Sequence, residues 1–118
     1  MSTPTDTTRI APYCMTMTLE IEPADEVEFN HLYDTDHLTS MIQVDGVLQA
    51  VRYQHSEPNA QGRLLYTAIY FLTGAEVLES KSWLEHANSG LWPTVMRPKL
   101  VSRWRTIGPV VVTIAKMT

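Results

Sequence analysis

Cysteine is nearly absent: Cys14 is the one thiol in 118 residues. A single cysteine excludes an internal disulfide and any Cys-x-x-Cys or Cys/His finger, so a reducing, cytoplasmic setting is expected. Basic residues are also scarce. Nine Lys and Arg stand against 13 Asp and Glu, for a net charge of −4 with no basic run, which argues against nucleic-acid and anionic-membrane partners. No apolar run approaches the ~18 residues of a membrane span. The Ser-, Thr- and Pro-containing stretch from Met1 to Pro12 lacks the apolar centre of a signal peptide, so neither export nor anchoring is expected. With only 5 Gly and 7 Pro there is no low-complexity signature. No G-x-S-x-G, P-loop or G-x-G-x-x-G occurs, which removes the usual hydrolase elbow and nucleotide cradles. What remains, 44% hydrophobic and 19% charged, suits one soluble globular domain over 13–118 behind a flexible segment, 1–12.

Odd positions from Tyr13 to Ile21 are apolar and even ones small or polar, the period-2 pattern of a half-buried strand. Pro23 ends it. Asp25 with Glu28 reads as a capping box opening a helix from about Glu26 to Ile42, whose apolar stripe is Val27, Leu38, Met41 and Ile42. Asp45-Gly46 turns the chain into strands Val47 to His55 and Leu64 to Leu72, joined through a loop rich in turn residues. The second of these is apolar on both faces, so both faces need cover. Gly74 precedes a second helix, Ala75 to about Ala87, with Val77, Ser80, Leu84 and Ala87 on one face. A turn or short helix at Leu91–Met96, a strand from Leu100 to Ile107 and a strand-like tail, Val110 to Ile114, complete the chain. The order is the ferredoxin-like β-α-β-β-α-β of an α+β fold. Its helices cover one sheet face, and a second copy across a two-fold axis would cover the other. The apolar tail should pack on that partner or on a sheet edge.

The densest polar group lies on the first helix. Asn30, Asp34 and His37 fall within or beside the apolar stripe, with Tyr33 next to them. Burying an amide, a carboxylate and an imidazole costs several kcal/mol unless they are bonded, which argues for a pocket. The bland alternative is a histidine bonded to a backbone carbonyl. A metal site is a weaker rival, since two ligands three residues apart on one helix need a third from His55 or His86. Cys14 reads as a small packing residue. Among the aromatics, Tyr66, Trp83 and Trp92 combine flat apolar bodies with polar handles. Trp83 and Trp92 flank the end of the second helix, where a cavity would open. With His86 they are the candidate substrate contacts.

The run Asn30-x-x-Tyr33-Asp34-Thr35-Asp36-His37-Leu38, then Val44-Asp45-Gly46-Val47-Leu48-Gln49-Ala50-Val51-Arg52-Tyr53 and Leu65-Tyr66-Thr67-Ala68-Ile69-Tyr70-Phe71-Leu72, resembles the dimeric α+β barrel superfamily and, within it, the EthD-like proteins. The resemblance spans roughly Tyr13 to Ile107. Asp45 stands where that family usually has proline. The resemblance implies a homodimer, a pocket between sheet and helices, and chemistry that frequently needs no cofactor; no cofactor and no metal are expected. It implies an enzyme of the cyclase, isomerase, dehydratase or decarboxylase kind in catabolism or polyketide-type metabolism. Such an enzyme would act on a small, mostly apolar aromatic or cyclic carbonyl or carboxyl compound. In that scheme His37 is the acid/base, Asp34 fixes its tautomer, and Tyr33 or Asn30 donates to an oxyanion. The alternatives are a cofactor-free monooxygenase of an aromatic substrate and a non-catalytic carrier of a hydrophobic metabolite.

Overall fold

A computed structural model describes residues 11–116 together with the backbone of Thr5 and Asp6. In chain order the strands and α-helices are β1 (Thr5–Asp6), β2 (Tyr13–Ile21), α1 (Glu26–Leu32), α2 (Leu38–Met41), β3 (Val47–Gln54), β4 (Leu64–Leu72), α3 (Lys81–Ala87), β5 (Ser102–Pro109) and β6 (Ala115–Lys116). Four strands make one antiparallel sheet in the order β3-β4-β2-β5. This is the ferredoxin-like α+β arrangement that the element order predicts.

Register decides which side chains meet the helices. Met15 lies opposite Tyr70 and Leu19 opposite Tyr66, so the odd residues of β2 and the even residues of β4 share one face. That face packs on Phe29, Leu32, Tyr33 and Met41 of the first helical segment and on Val77, Leu78, Trp83, Trp92 and Met96. Among the described residues the other face carries no helix. Thr18 and Thr67 bond across it at 2.8 Å, and Val51, Tyr53 and Trp104 are exposed on it.

Several local expectations are corrected. The first helix is not continuous: a π-helical turn, Tyr33–His37, separates α1 from α2. Val27 and Ile42, assigned to its stripe, are solvent-exposed, and Phe29, Leu32 and Tyr33 are buried instead. Asp25 accepts no capping bond, because Pro23–Asp25 winds into a 3₁₀ turn and Glu28 reaches Lys99. The second helix breaks at Ser80, whose extended backbone and Oγ, accepting from Trp83 N at 3.0 Å, start α3 afresh. That restart buries Trp83 and turns Leu84 outward. The last sheet strand begins two residues late, since Arg97–Lys99 form a further 3₁₀ turn. Val110–Ile114 is not a strand. Ala115 and Lys116 instead pair with Asp6 and Thr5, which makes part of the supposed flexible segment a strand; the rest of 1–10 lies outside the described residues.

Gly46 joins α2 to β3 at φ 92°, where a Cβ would sit 2.5 Å from Val77 Cγ2. Only glycine combines that backbone conformation with so close an approach.

Candidate functional site

Phe29, Tyr33, His37 and Met41 follow one another at intervals of four. In a regular α-helix that spacing drifts about 40° per step and would carry the last members off the sheet side. The π turn takes up an extra residue, with Leu38 N bonding to Tyr33 O five residues back. The four therefore keep one face. A second π turn, Trp92–Met96, is built the same way, with Arg97 N on Trp92 O. Between these two turns, α3 and the sheet lies a cavity of about 430 Å³, a volume usual for small-molecule sites.

Its depth is aromatic and thioether: Met15, Met17, Tyr33, Tyr70, Trp83 and Trp92. His37 lies among them, stacked on Trp92 with ring centres 4.7 Å apart and edge-on to Tyr33 at 5.2 Å. Its Nδ1 is buried and has no hydrogen-bond partner. Burial first, and then the charge of Arg97, push the imidazole down to about 4 against the opposing pull of Asp36. His37 is thus neutral at pH 7 and carries one N–H and one lone pair. Nearby, the Tyr33 and Tyr70 hydroxyls lie 3.1 Å apart. Burial raises both, Tyr33 well above and Tyr70 to about 12, so the pair stays protonated. Two hydroxyls spend one hydrogen on each other and keep the second for a ligand oxygen.

The Trp92 turn is pinned by Asp36. Its Oδ2 accepts from Leu91 N at 3.0 Å and Trp92 N at 2.8 Å. Gly90, at φ 74°, makes room, because a Cβ there would lie 2.5 Å from the same carboxylate.

The other predicted residues of the first helix gather elsewhere. Asp34 grips Arg52 through both oxygens at 3.0 Å, and Asn30 Oδ1 accepts from Arg52 Nη1 at 2.9 Å. Tyr66 receives a bond from Asn30 and donates to Glu26 at 2.6 Å. The Arg52 guanidinium lies 5.2 Å from the centres of the Tyr33 and Tyr66 rings. The structure therefore brings His37, Tyr33, Trp83 and Trp92 to the cavity and Asn30, Asp34 and Tyr66 to a separate cluster on the β3 side. His86 lies outside both, with Nδ1 on Ser82 O at 2.9 Å. Residues the sequence did not single out include Tyr70, Asp36, Arg97, Arg103 and Arg105. Tyr70 was legible in principle, since the strand period places it on the same face as Tyr66. Arg97 and Asp36 depend on the irregular turns, which leave no periodic signal. Among the described residues no three His, Cys, Asp or Glu side chains are grouped to hold a metal ion, and no helix is long and apolar enough to cross a membrane.

No family profile matches the sequence, and no curated protein sequence matches it. Solved structures do. An EthD-family protein of Bacillus halodurans superposes with a TM-score of 0.56 at 16% identity, over 81% of this chain and 96% of that one. A dimeric ferredoxin-like protein from an uncultured marine organism gives 0.60 at 12% identity, covering 90% of each. SnoaB, described as a cofactor-independent oxygenase of Streptomyces nogalater, gives 0.58 at 15%, covering 86% and 94%. At such identities the likeness is one of fold: this chain shares the ferredoxin-like α+β fold of these proteins.

Proposed function

We propose that the cavity is an active site in which neutral His37 moves a proton on a small, mostly apolar, cyclic or aromatic carbonyl compound. The observation that carries this reading is a half-buried imidazole with a buried, unpartnered nitrogen, stacked on Trp92, in a cavity that also holds the Tyr33–Tyr70 hydroxyl pair. A ring lying among Trp92, Trp83 and the methionines brings its carbonyl within reach of both. His37 takes the hydrogen from the carbon beside the carbonyl; the C–H electron pair moves onto the carbonyl oxygen, and a tyrosine O–H donates to the resulting enolate. Return of the proton at another carbon completes an isomerisation; attack of the enolate carbon on a second carbonyl of the same molecule, whose oxygen takes the proton, closes a ring; and expulsion of a β-hydroxyl, which takes the proton and leaves as water, completes a lyase step. No role falls to Asp34 as a partner of the imidazole, since Arg52 occupies it.

Proton transfer can be read without knowing the full reaction. Mono- and bicyclic aryl ketones are incubated with the protein in D₂O and deuterium uptake at the α-carbon is followed by NMR. The expected result is uptake above the buffer rate, lowered at least ~10²-fold in His37→Ala, with folding intact at pH 7. Uptake unchanged in His37→Ala, or absent for every ketone, would overturn the reading.

A second reading, an oxygenase that needs no cofactor, is favoured by the likeness to SnoaB. The same proton removal makes an electron-rich carbanion that oxygen can attack. Oxygen consumption in step with substrate loss would select it.

We also propose that a second copy covers the bare sheet face, given Val51, Tyr53 and Trp104 exposed there and Ile69 and Phe71 only half-buried. The similar marine protein is described as dimeric.

A further inference from the structure

Outside the aromatic depth, the cavity is lined by three guanidinium groups: Arg97, Arg103 and Arg105. Arg103 and Arg105 are opposite Leu19 and Met17 in the sheet register, so they project from the edge strand β5 onto the helix-covered side. Arg97 comes from the other wall, where Nη2 donates to Ala87 O at 2.6 Å and Nη1 to Asn88 Oδ1 at 3.0 Å. Its Nε is buried without a partner, and it shares that condition with His37 Nδ1 alone among the described side-chain atoms.

Charge pairing separates these three from most other described cations. Arg52, Arg63, Lys81 and Lys99 each sit within ion-pair distance of a carboxylate. None of the cavity arginines does among the described residues, and no described acidic residue lines the cavity. Arg105 reaches only the Met15 sulfur, at 3.9 Å. In a chain of net charge −4, three arginines without an ion-pair partner around one cavity form a local positive field that no lining carboxylate offsets. Burial and the charge of Arg103 both lower the Arg97 guanidinium, so the two cations oppose each other until an anion comes between them.

We propose that Arg97, Arg103 and Arg105 form a carboxylate site at the cavity rim, so that the ligand is a cyclic or aromatic carboxylic acid with its ring among the tryptophans and its carboxylate in the arginine forks. This inference rests on the reading of the cavity as a ligand site and narrows its substrate class. A planar, two-oxygen anion matches the guanidinium fork, which donates two parallel N–H bonds to it. The same rim holds the anion apart from the hydroxyl pair and His37, leaving those groups to act on a carbonyl elsewhere on the ring.

The test compares 1-naphthoate with 1-naphthamide, which keep the ring and exchange the charged group for a neutral one. Binding is measured by calorimetric titration at pH 7 to wild type, Arg103→Gln, Arg105→Gln and the double variant. Both substituted residues are exposed, so folding is not at risk. Wild type is expected to prefer naphthoate by at least ~10-fold, each single variant to reduce that preference, and the double variant to lose most of it with naphthamide affinity unchanged. Added salt should weaken naphthoate alone. Equal affinity for acid and amide, a preference that survives the double substitution, or no saturable binding of either up to about 10 mM would overturn the proposal. In the first case the arginines serve only to blunt the β5 edge. His37→Ala separates this inference from the proton-transfer reading. A charge preference retained in that variant with deuterium uptake unchanged, or found in a wild type that shows no uptake, keeps the carboxylate site and removes the chemistry.

Discussion

His37 is neutral because two rings and one cation crowd it. Tyr33 precedes it on its own turn, Trp92 stacks on its face, Arg97 disfavours a second positive charge, and Asp36 only partly compensates. Its folded value of about 4 lies below the 6.5 of an unperturbed histidine. Between those two values the unfolded chain binds more protons than the folded one. Stability from this residue is therefore complete above pH 6.5 and is lost as pH falls toward 4, by up to ~3 kcal/mol. Urea unfolding at pH 7 and pH 4.5 checks it: wild type should lose more stability over that interval than His37→Phe, whose ring cannot titrate. Gly90 is the second decisive residue. Gly90→Ala forces a Cβ onto the Asp36 carboxylate at a left-handed backbone position and should cost ~1–3 kcal/mol in the same assay.

At the level of elements, the two π turns bring the site together. One keeps Tyr33 and His37 facing the sheet, and the other presents Trp92 to them. Asp36 ties the turns to each other through two backbone amides, so Asp36→Ala should leave two donors poorly satisfied. The expected loss is ~1–3 kcal/mol in urea unfolding, together with weaker aromatic ligand binding by titration. This architecture also explains what a sequence can and cannot convey. Strands β2 and β4 were readable to the residue, because alternation and a doubly apolar run leave a direct trace in composition. His37, Tyr33, Trp83 and Trp92 were found as a polar group beside an apolar stripe and as aromatics around a helix end. Asn30, Asp34 and Tyr66 were placed with them, but all three are engaged around Arg52, because side chains adjacent on a helix can serve different neighbours. The stripe itself was misphased: a projection at 100° per residue contains no term for an inserted residue, and burial of Phe29 and exposure of Val27 follow from packing against the sheet. The arginine cluster was invisible, since 97, 103 and 105 meet only after two irregular turns deliver β5 to the sheet edge.

For the whole molecule, the proposed pairing through the helix-free sheet face is tested by the state in solution. Sedimentation at micromolar concentration should give twice the 13.4 kDa chain mass. Val51→Glu places a charge at an exposed point of that face, opposite Ile69 in the register, and should shift the protein toward monomer while the cavity side keeps its ligand affinity. A stable wild-type monomer would remove the dimer proposal. Val111, Val112 and Ile114 are exposed along the single chain. Replacing Val111, Val112 and Ile114 by serine, which leaves the β1–β6 pair in place, should lower the degree of association if that tail packs on a partner subunit.

The cavity also determines how the protein answers mechanical load. Volume that neither side chains nor water fill is volume given up when the chain unfolds, so hydrostatic pressure favours the unfolded state in proportion to it. A fold of this size whose cavity depth is lined by rings and thioethers should be soft under compression there, and a ring compound seated beside Trp92 should stiffen it. The pressure midpoint of unfolding, followed by tryptophan emission with and without ligand, would then report occupancy directly, even for a compound that is never turned over.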